Sequence, residues 1–421
     1  MIVVGTIDRR TLLAAGAAAL TTAACTSPLR ATPATTAGAD DFGVATYDAT
    51  GITTFAVGTR SPAGVTIRIW ADTDPATIYE SPSVRTGAGD VAMVRVDAAR
   101  VPTENVSWQP VVDGAPGRVR ALPARPPAGT ATPFTFAFGA CALQGEPVPV
   151  LARAAATHPL LFAWIGDLGY LDTHAGAQTE DAYRSMFRSF LASEDLRPLV
   201  DSSWFFGVQD DHDYGRDGAW RDTVQPFTAA AYAAVVPGAV ATGPNWRTWT
   251  AGDVDFWLTD NRRFADAPEP GPFENGRYRS MLGAAQRDWL LTGLAASRAR
   301  LKVVFMPQTF TWYFSHGEKK EITEFVESRV GGTVLFCCGD KHAGAFARPG
   351  TNVWELLACP LHNPVKHNTP AKAGVLWTEN GEGLATSDAV GLVDVDPAGN
   401  RAVLRLVDDR GIELHSESIP I

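Results

Sequence analysis

The sequence predicts a layered α/β domain preceded by a small antiparallel β-sandwich. Up to about residue 120, short segments alternate between apolar and polar residues, with glycine, proline and aspartate between them, as in all-β domains. Beyond residue 133, apolar strand-like segments alternate with long helical segments, which is typical of layered α/β architecture. The chain has 421 residues, of which 45% are hydrophobic, so it is long enough to bury more than one core.

The charge and the cysteine content exclude some classes of protein. The chain has 46 acidic and 36 basic side chains, and its formal net charge is −10. Such a balance offers no general attraction to nucleic acid or to an anionic membrane surface, so no nucleic acid binding is expected. An anionic phosphate ester would have to be held by local cations, either metal ions or a well-placed arginine. The 5 cysteines are too sparse for a disulfide framework.

Residues 1–39 are predicted to be an export signal and linker. Arg9-Arg10 precedes a short, alanine-rich apolar run to Ala24, and threonine, alanine and proline dominate the residues that follow. This order is typical of an export signal, and the arginine pair favours the twin-arginine export machinery as a partner. An ordinary secretory signal with a chance arginine pair is the alternative. Either signal predicts an exported protein, located in the periplasm, outside the cell or at the cell surface.

Cys25 is a candidate site for a lipid anchor. It follows Thr22-Ala23-Ala24, which resembles a lipoprotein cleavage box, although threonine stands where such boxes usually have leucine. Without lipid attachment, Cys25 would be removed together with the signal.

The segment from residue 42 to 120 is predicted to be the β-sandwich domain, of immunoglobulin or fibronectin type. Its strand-like runs share an alternating pattern and lie at 53–57, 65–70, 91–96 and 108–112. Asp113-Gly114 favours a hairpin turn after the last run. Residues 121–132, rich in proline, alanine and glycine, are expected to form a linker to the α/β domain at 133–421.

In residues 133–421, predicted buried strands run directly into polar residues that can bind metals. Segment 134–138 leads to Cys141, segment 160–165 to Asp167, and segment 334–338 to Asp340. We expect these ligands to meet at one edge of a sheet, where open α/β folds place their sites. Helices are predicted at 179–199 and 283–297.

Asp167 and Tyr170, in the run Gly-Asp-Leu-Gly-Tyr at 166–170, form the first candidate metal-binding pair. A carboxylate on the turn after a strand can bridge two cations, and a phenolate three residues later can reach one of them. Phenolate is a hard ligand that favours a trivalent ion such as iron(III). A turn-capping aspartate and a buried tyrosine would give the same pattern, so the pair indicates a metal site only in combination with others.

The run Gln-Asp-Asp-His-Asp at 209–213 is the second candidate. Its three carboxylates repel one another and raise the local proton affinity unless a cation neutralises them. The cluster therefore favours a loop in which Asp210 and Asp211 bind a divalent metal, with His212 free to face a phosphate group. A solvated acidic loop is the alternative, but the apolar run at 204–208 predicts another buried strand immediately before it.

Asp340, His342 and Cys141 complete the set of candidate ligands. In Gly-Asp-Lys-His at 339–342, Asp340 and His342 point to the same side of an extended segment, because side chains alternate along it. Each could thus serve one of two neighbouring metals. Cys141 is a candidate thiolate ligand, although a single cysteine after an apolar strand is more often simply buried.

These motifs, in this order, resemble those of the alkaline phosphatase D family, the PhoD-like branch of the calcineurin-type metallophosphoesterases. The resemblance extends from about residue 42 to the C-terminus. Leu-Thr-Asp-Asn-Arg at 258–262 resembles the family's Leu-Asp-x-Arg segment, and residues 281–290 resemble its Leu-Gly-x-x-Gln-x-x-Trp-Leu helix. The resemblance implies an α/β/β/α metallophosphoesterase domain behind an amino-terminal β-sandwich, and twin-arginine export.

The resemblance also implies a ligand set with Asp167 as the bridge between two metals. Iron(III) would be held by Cys141, Asp167, Tyr170 and His342, and calcium or another divalent ion by Asp167, Asp340 and the loop of Asp210 and Asp211. We expect His212 to protonate the leaving oxygen or stabilise its charge and Arg262 to clamp a phosphoryl oxygen. A structural salt bridge is the alternative for Arg262.

Two positions depart from the family pattern. Ala142 follows Cys141 where glutamine is common, and Asp217 stands near a place where asparagine is often found. The second departure leaves open whether Asp211 or Asp217 binds the second metal. The position of Asp211 immediately before His212 favours Asp211.

The predicted function is hydrolysis of phosphate esters by metal-activated water. One alternative is a phosphodiesterase of phospholipase D type that acts on lipid or teichoic phosphodiesters, because the same metal chemistry serves both ester classes. Another alternative is a non-catalytic surface-binding protein. Three histidines, His316, His362 and His367, are expected to be packing or surface residues.

Overall fold

The structure is a computed structural model that describes residues 40–173, 178–267, 280–312, 316–365, 373–379 and 387–421. These residues belong to one compact unit, Ala37–Ile421. The predicted export signal and linker at 1–39, with Cys25, lies outside the described residues, as does His367. Within the described residues, no helix is long and apolar enough to cross a membrane.

The region before residue 123 is built from β-strands, as predicted. Its strands are β1 (Asp40–Tyr47), β2 (Ile52–Thr59), β3 (Gly64–Ala71), β4 (Asp74–Glu80), β5 (Val84–Arg85), β6 (Val91–Asp97), β7 (Val106–Val112), β8 (Ala115–Pro116) and β9 (Arg120–Leu122). They form one antiparallel sheet of order β1-β2-β6 and another of order β4-β3-β7-β8, to which β5 and β9 add on β3 and β7. Phe55 of β2 contacts Trp108 of β7 with ring centroids 4.9 Å apart, so the two sheets pack face to face.

The hairpin between β7 and β8 turns at Asp113 and Gly114, with φ of 45° and 84°. Both values are in the left-handed region that a two-residue hairpin turn requires, and Asp-Gly is favoured there for that reason. Strand β9 includes Ala121 and Leu122, the first two residues of the predicted linker. Residues 123–133 contain no helix or strand.

The rest of the chain contains two larger sheets and six described helices. The strands are β10 (Phe134–Gly139), β11 (Ala142–Leu143), β12 (Leu161–Ile165), β13 (Leu168–Gly169), β14 (Trp204–Val208), β15 (Arg247–Ala251), β16 (Val254–Leu258), β17 (Leu301–Met306), β18 (Thr333–Cys338), β19 (Gly344–Ala347), β20 (Val353–Ala358), β21 (Val375–Thr378), β22 (Ala389–Asp396), β23 (Arg401–Asp408) and β24 (Glu413–Pro420). The helices are α1 (Val150–Ala156), α2 (Glu180–Leu191), α3 (Arg197–Val200), α4 (Pro226–Ala233), α5 (Gly283–Ala296) and α6 (His316–Arg329).

Each large sheet combines parallel and antiparallel strands. The first sheet has the order β14-β12-β10-β22-β23-β24, with β10, β12 and β14 parallel. The second has the order β15-β16-β17-β18-β20-β19-β21, with β16, β17, β18 and β20 parallel. A small parallel pair, β11 and β13, lies just beyond the ends of β10 and β12.

The parallel strands of the first sheet, β10, β12 and β14, are buried on both faces over most of their length, which explains their apolar sequences. Along β12, Ala163 packs in the core that is shared with the second sheet, whereas Trp164 belongs to the core under the helices. Between the sheets, Phe136 and Phe256 meet edge to face with ring centroids 5.4 Å apart. On the outer side, Trp164 contacts Phe190 of α2 with centroids 4.2 Å apart. The order of layers is helix, sheet, sheet, helix, in agreement with the α/β/β/α prediction.

The helix predicted at 283–297 is present as α5, but the one predicted at 179–199 is two helices. Thr179 caps α2, since its hydroxyl accepts a hydrogen bond from the N–H of Ala182. Helix α2 ends at Leu191, and one continuous helix through Pro198 is disfavoured because the proline ring lacks an N–H and would clash with the carbonyl of Glu194. Proline is tolerated in a first turn, and Pro198 lies in the first turn of α3.

Candidate metal centre

The predicted ligands meet at the carboxyl ends of parallel strands from both large sheets. Cys141, Asp167 and the loop at 209–213 follow β10, β12 and β14 of the first sheet, whereas Asp340 follows β18 of the second. The prediction of a single sheet edge was therefore wrong. The ligands converge because two stacked sheets end at the same place, and strand pairing of this kind is not visible in local sequence patterns.

Five candidate ligands have a left-handed backbone although none is glycine. Their φ angles are 64° for Cys141, 59° for Asp167, 56° for Tyr170, 70° for Asp340 and 47° for His342. Such a conformation costs on the order of 1–3 kcal/mol per residue and is typical of functional sites, where the surrounding structure holds it. The concentration of strained residues at the strand ends marks this place as the candidate site.

The first group of donors surrounds the hydroxyl of Tyr170. This hydroxyl lies 3.0 Å from Oδ2 of Asp167 and 2.7 Å from Nε2 of His342. The sulfur of Cys141 lies 3.4 Å from the same Asp167 oxygen. Nδ1 of His342 donates to the carbonyl of Val365 at 2.7 Å, which leaves Nε2 directed at the group. A backbone partner of this kind fixes the orientation of metal-binding histidines.

Burial disfavours the charged forms of these donors when no cation is near. Burial, reinforced by neighbouring thiol and carboxyl groups, raises the pKa of Cys141 and of Tyr170 well above their ordinary values. A metal ion reverses this preference, because thiolate and phenolate ligands must be deprotonated to bind it.

Cys359 belongs to the same group of donors, although the sequence did not single it out. The donor atoms of Cys141, His342 and Cys359 all lie within 4.8 Å of one another, and Cys359 is buried. Like the other candidate ligands, Cys359 directly follows a mostly apolar strand, here β20. The sequence pattern could therefore have identified it.

The second group of donors consists of carboxylates. Oxygen atoms of Asp167, Asp210, Asp211 and Asp340 lie within 4.8 Å of one another. Arg262, 2% exposed, reaches three of these residues: its Nε contacts Asp210, and one terminal nitrogen lies 3.1 Å from Asp211 and 2.8 Å from Asp340. The structural salt bridge, which was the alternative role for Arg262, is therefore present in the structure.

The structure brings Asp211, and not Asp217, into this group. Asp211 is buried, and its oxygens accept hydrogen bonds from the N–H groups of His212 at 3.0 Å and Gly218 at 2.7 Å. Asp217 is exposed at the surface of the same loop.

Two buried carboxylate oxygens in the group have no hydrogen-bond partner among the described residues: Oδ1 of Asp167 and Oδ2 of Asp210. Burial and the surrounding negative charge raise the pKa of Asp167 well above its ordinary value, and burial raises that of Asp210 to about 6 although Arg262 opposes the shift. Unpaired buried carboxylates are costly unless they are protonated or bind a cation. The residues present therefore fit a metal ion.

Asp213 connects the two loops that carry these carboxylates. Its Oδ2 accepts from the N–H groups of Asp167 at 2.6 Å and Asp210 at 3.0 Å, and its Oδ1 accepts from that of Leu168 at 2.8 Å. Both oxygens are thus used by backbone donors, and Asp213 positions the ligands without being one itself.

His212 lies beside the first group, with its ring centroid 4.3 Å from that of Tyr170. Its Nδ1 is 2.8 Å from Oδ2 of Asp172, a partner that the sequence did not reveal because the two residues come from different loops. Burial lowers the pKa of His212, but the charges of Asp167 and Asp211 and the bond to Asp172 outweigh it and raise the pKa to about 11. These three carboxylates therefore favour the protonated form of the imidazole.

His362, one of the histidines without a predicted catalytic role, is not part of either group. Nδ1 of His362 lies 2.6 Å from Oδ2 of Asp388, and these residues line a shallow surface cavity of about 610 Å³ together with Asn363, Ser387 and Arg410. His316 is the first residue of α6.

Comparisons with known proteins find the same fold. The structure named PhoD superimposes with a TM-score of 0.74 and 13% identity, covering 92% of this chain and 94% of that one. Purple acid phosphatase PPD1 from yellow lupin seeds gives a TM-score of 0.67 and 10% identity, covering 91% and 74%. At these identities the likeness shows the fold. No curated protein sequence matches the chain.

A family model assigns the chain more specifically. The model of the PhoD-like phosphatases matches residues 164–400, a segment that is more than half of the chain and contains most of the candidate ligands. The chain belongs to the PhoD-like phosphatase family and is a hydrolase of phosphoric esters.

Proposed function

We propose that this phosphatase is an exported enzyme that depends on two bound cations at the centre built around Asp167. The observation that carries the proposal is the pair of buried oxygens without a hydrogen-bond partner, on Asp167 and Asp210. Each of these oxygens belongs to a residue in a cluster of donor atoms that could hold one cation. No side chain among the described residues donates a hydrogen bond to either oxygen.

The two groups of donors favour different cations. Cys141, Asp167, Tyr170 and His342 combine thiolate, carboxylate, phenolate and imidazole, and phenolate supports the assignment of iron(III). Asp167, Asp210, Asp211 and Asp340 offer only carboxylate oxygens, which suits calcium or another hard divalent ion. When bound, such a pair of cations supplies Lewis acidity toward phosphoryl oxygens and lowers the pKa of water.

His212 is the general acid in this proposal. The hydrogen bond from Nδ1 to Asp172 fixes the ring, so that Nε2 is left to face a substrate. With a raised pKa, the imidazolium can donate a proton to the leaving oxygen of the ester. Bound cations would neutralise Asp167 and Asp211, and this would bring the pKa of His212 down towards the range useful for catalysis.

Arg262 supplies a fixed positive charge at the carboxylate group. Its guanidinium carries more donors than one carboxylate can use, and it lies within reach of anything bound beside Asp210 and Asp340. A cation that takes over these carboxylate oxygens would leave donors of Arg262 for a phosphoryl oxygen. Arg262 would then form the structural ion pair when no cation is bound and clamp the substrate when a cation is bound.

Export rests on the sequence of residues 9–24 alone. The arginine pair and the short apolar run favour transport by the twin-arginine machinery, and Cys25 is a candidate for lipid attachment. Expression of the full chain with Arg9-Arg10 changed to Lys-Lys tests this route. We expect the unchanged chain outside the cytoplasm and the variant inside it; an exported variant would contradict twin-arginine transport.

The activity is tested with purified protein on a chromogenic phosphate monoester and the matching diester, together with its iron and calcium contents. We expect metal-dependent hydrolysis, and the preferred ester distinguishes a phosphatase from a phosphodiesterase. Asp211→Asn should lose the divalent ion while Asp217→Asn retains it. Hydrolysis that persists after both metals have been removed would contradict the proposal.

A further inference from the structure

We propose that Cys359 supplies a second thiolate to the cation held by Cys141, Asp167, Tyr170 and His342. This inference rests on the metal centre of the proposed function and makes its composition more specific. The centre would then contain two sulfur ligands from opposite sides of the site, one after β10 in the first sheet and one after β20 in the second.

The spacing of the donor atoms fits one coordination sphere. Thiolate sulfur binds a metal at about 2.3 Å and imidazole nitrogen at about 2.0–2.1 Å, so two such donors on one ion lie about 3–4.5 Å apart. The donor atoms of Cys141, His342 and Cys359 are within 4.8 Å of one another. A cation can therefore contact all three with small movements of the side chains.

The backbone around Cys359 is tied to the other ligands. Leu361 donates from its N–H to the carbonyl of Ala140 at 2.8 Å, and His362 donates to that of Cys141 at 3.1 Å. The carbonyl of Val365, a few residues further on, accepts from Nδ1 of His342. One segment, 359–365, thus holds the loop of Cys141, orients His342 and carries the additional sulfur.

The other buried cysteines provide a contrast. Cys337 and Cys338 are also buried and free, but they lie within β18, and neither belongs to a group of metal-binding donors among the described residues. A buried cysteine in an apolar strand acts as a small hydrophobic residue. Cys359 differs because it follows its strand and faces a second thiol and an imidazole.

A second thiolate has a chemical consequence for the bound metal. Binding breaks the S–H bond of Cys359, the proton leaves to solvent, and the sulfur lone pair forms the bond to the metal, so that metal uptake releases one more proton than a single-thiolate site would. The additional negative charge stabilises iron(III) relative to iron(II). Removal of this ligand should therefore raise the reduction potential of the iron.

X-ray absorption at the edge of the bound metal tests the inference on the purified, metal-containing full-length protein. We expect two sulfur scatterers per metal in the native protein, one in Cys359→Ala and one in Cys141→Ala. Cys337→Ala is the matched control, because it removes a buried thiol of β18 outside the centre, and it should retain two.

The number of sulfur ligands per metal in the native protein tests the role of Cys359 even if a variant fails to fold. One sulfur per metal in the native protein would overturn the role of Cys359 and leave the proposed function intact. Purified protein that binds no transition metal, and gains none on addition of iron or cobalt(II), would overturn both.

Discussion

At the residue scale, Asp213 holds together the turns that carry the carboxylate ligands. It is fully buried, and its two oxygens accept three backbone hydrogen bonds from residues 167, 168 and 210. Burial raises the pKa of Asp213 to about 7, although these three donors oppose the shift. The carboxylate thus fixes the positions of Asp167 and Asp210 without binding a cation itself.

The change Asp213→Asn should weaken metal binding while the protein stays folded. The amide keeps one acceptor oxygen but turns an NH₂ group towards backbone donors, so the turns at 167 and 210 must shift. Loss of a partner that orients ligands typically costs about 10–100-fold in metal affinity or activity, and we expect kcat/KM and metal affinity to fall together by that factor. Titration with metal and ester hydrolysis measure the effect.

The control is Asp222→Asn, which removes a carboxylate paired with Arg221 at the surface. It should leave both quantities unchanged. Wild-type metal affinity in Asp213→Asn would show that Asp213 does not position the ligands.

Sequence patterns located the ligands because each follows an apolar strand, and strand ends are visible in a sequence. Asp172 was missed because it matters only through its contact with His212, 40 residues away. Cys359 does follow an apolar strand, but it becomes a candidate ligand only through its nearness to Cys141. Such pairings depend on how the loops meet in space.

At the element scale, the buried side chain of Arg120 joins the amino-terminal β-strands to the rest of the protein. Arg120 of β9 pairs with Asp40 of β1, and both side chains are 1% exposed. The same guanidinium donates to Asp201, after α3, at 2.8 Å, and it lies over the ring of Trp108. One arginine thus connects both β-sheets of the amino-terminal region with the α/β layers.

The change Arg120→Met should destabilise the protein by about 3–5 kcal/mol, because removal of one partner leaves Asp40 buried without its counter-charge. Denaturant unfolding measures this loss. Arg60→Ala is the control, since Arg60 forms its ion pair with Asp41 at the surface and such pairs contribute at most about 1 kcal/mol. Equal, small effects of both changes would contradict a structural role for the buried pair.

Elements with both faces buried were the easiest to predict. Strands β10, β12, β14 and β18 are continuous apolar runs, and each appears within one residue of its predicted bounds. Their division between two sheets was not predictable, because a parallel strand can pair with any neighbour of similar pattern. The predicted boundaries of two domains, at 42–120 and 133–421, stay a prediction.

At the scale of the whole molecule, the buried ionisable groups of the metal centre should make the stability of the protein depend on pH and on bound metal. In the metal-free protein, burial raises the pKa of Asp210 to about 6 and that of Asp213 to about 7 from an ordinary 3.8. The folded protein then binds more protons than the unfolded chain across this window, so its free energy of unfolding falls as the pH rises. The contribution of His212, whose pKa is raised to about 11, is present below pH 6.5 and is lost as the pH rises towards 11.

We therefore expect the melting temperature of the metal-free protein to fall between about pH 5 and about pH 8, whereas the metal-loaded protein is protected because cations replace the protons. Calorimetry with and without a chelator measures the difference, which should grow with pH. A metal-free protein whose stability rises over this range would show that the carboxylates are not the groups that titrate.

We propose that Asp167 holds two cations on which hydrolysis depends. Asp167→Asn keeps the size of the side chain but removes its charge, and it is tested by measuring metal content and phosphate ester hydrolysis in the same purified sample. We expect loss of metal from both groups of donors and a fall in kcat/KM of about 10²–10³-fold, as the loss of an electrostatic catalytic element predicts. A variant that retained both full metal content and activity would contradict the account.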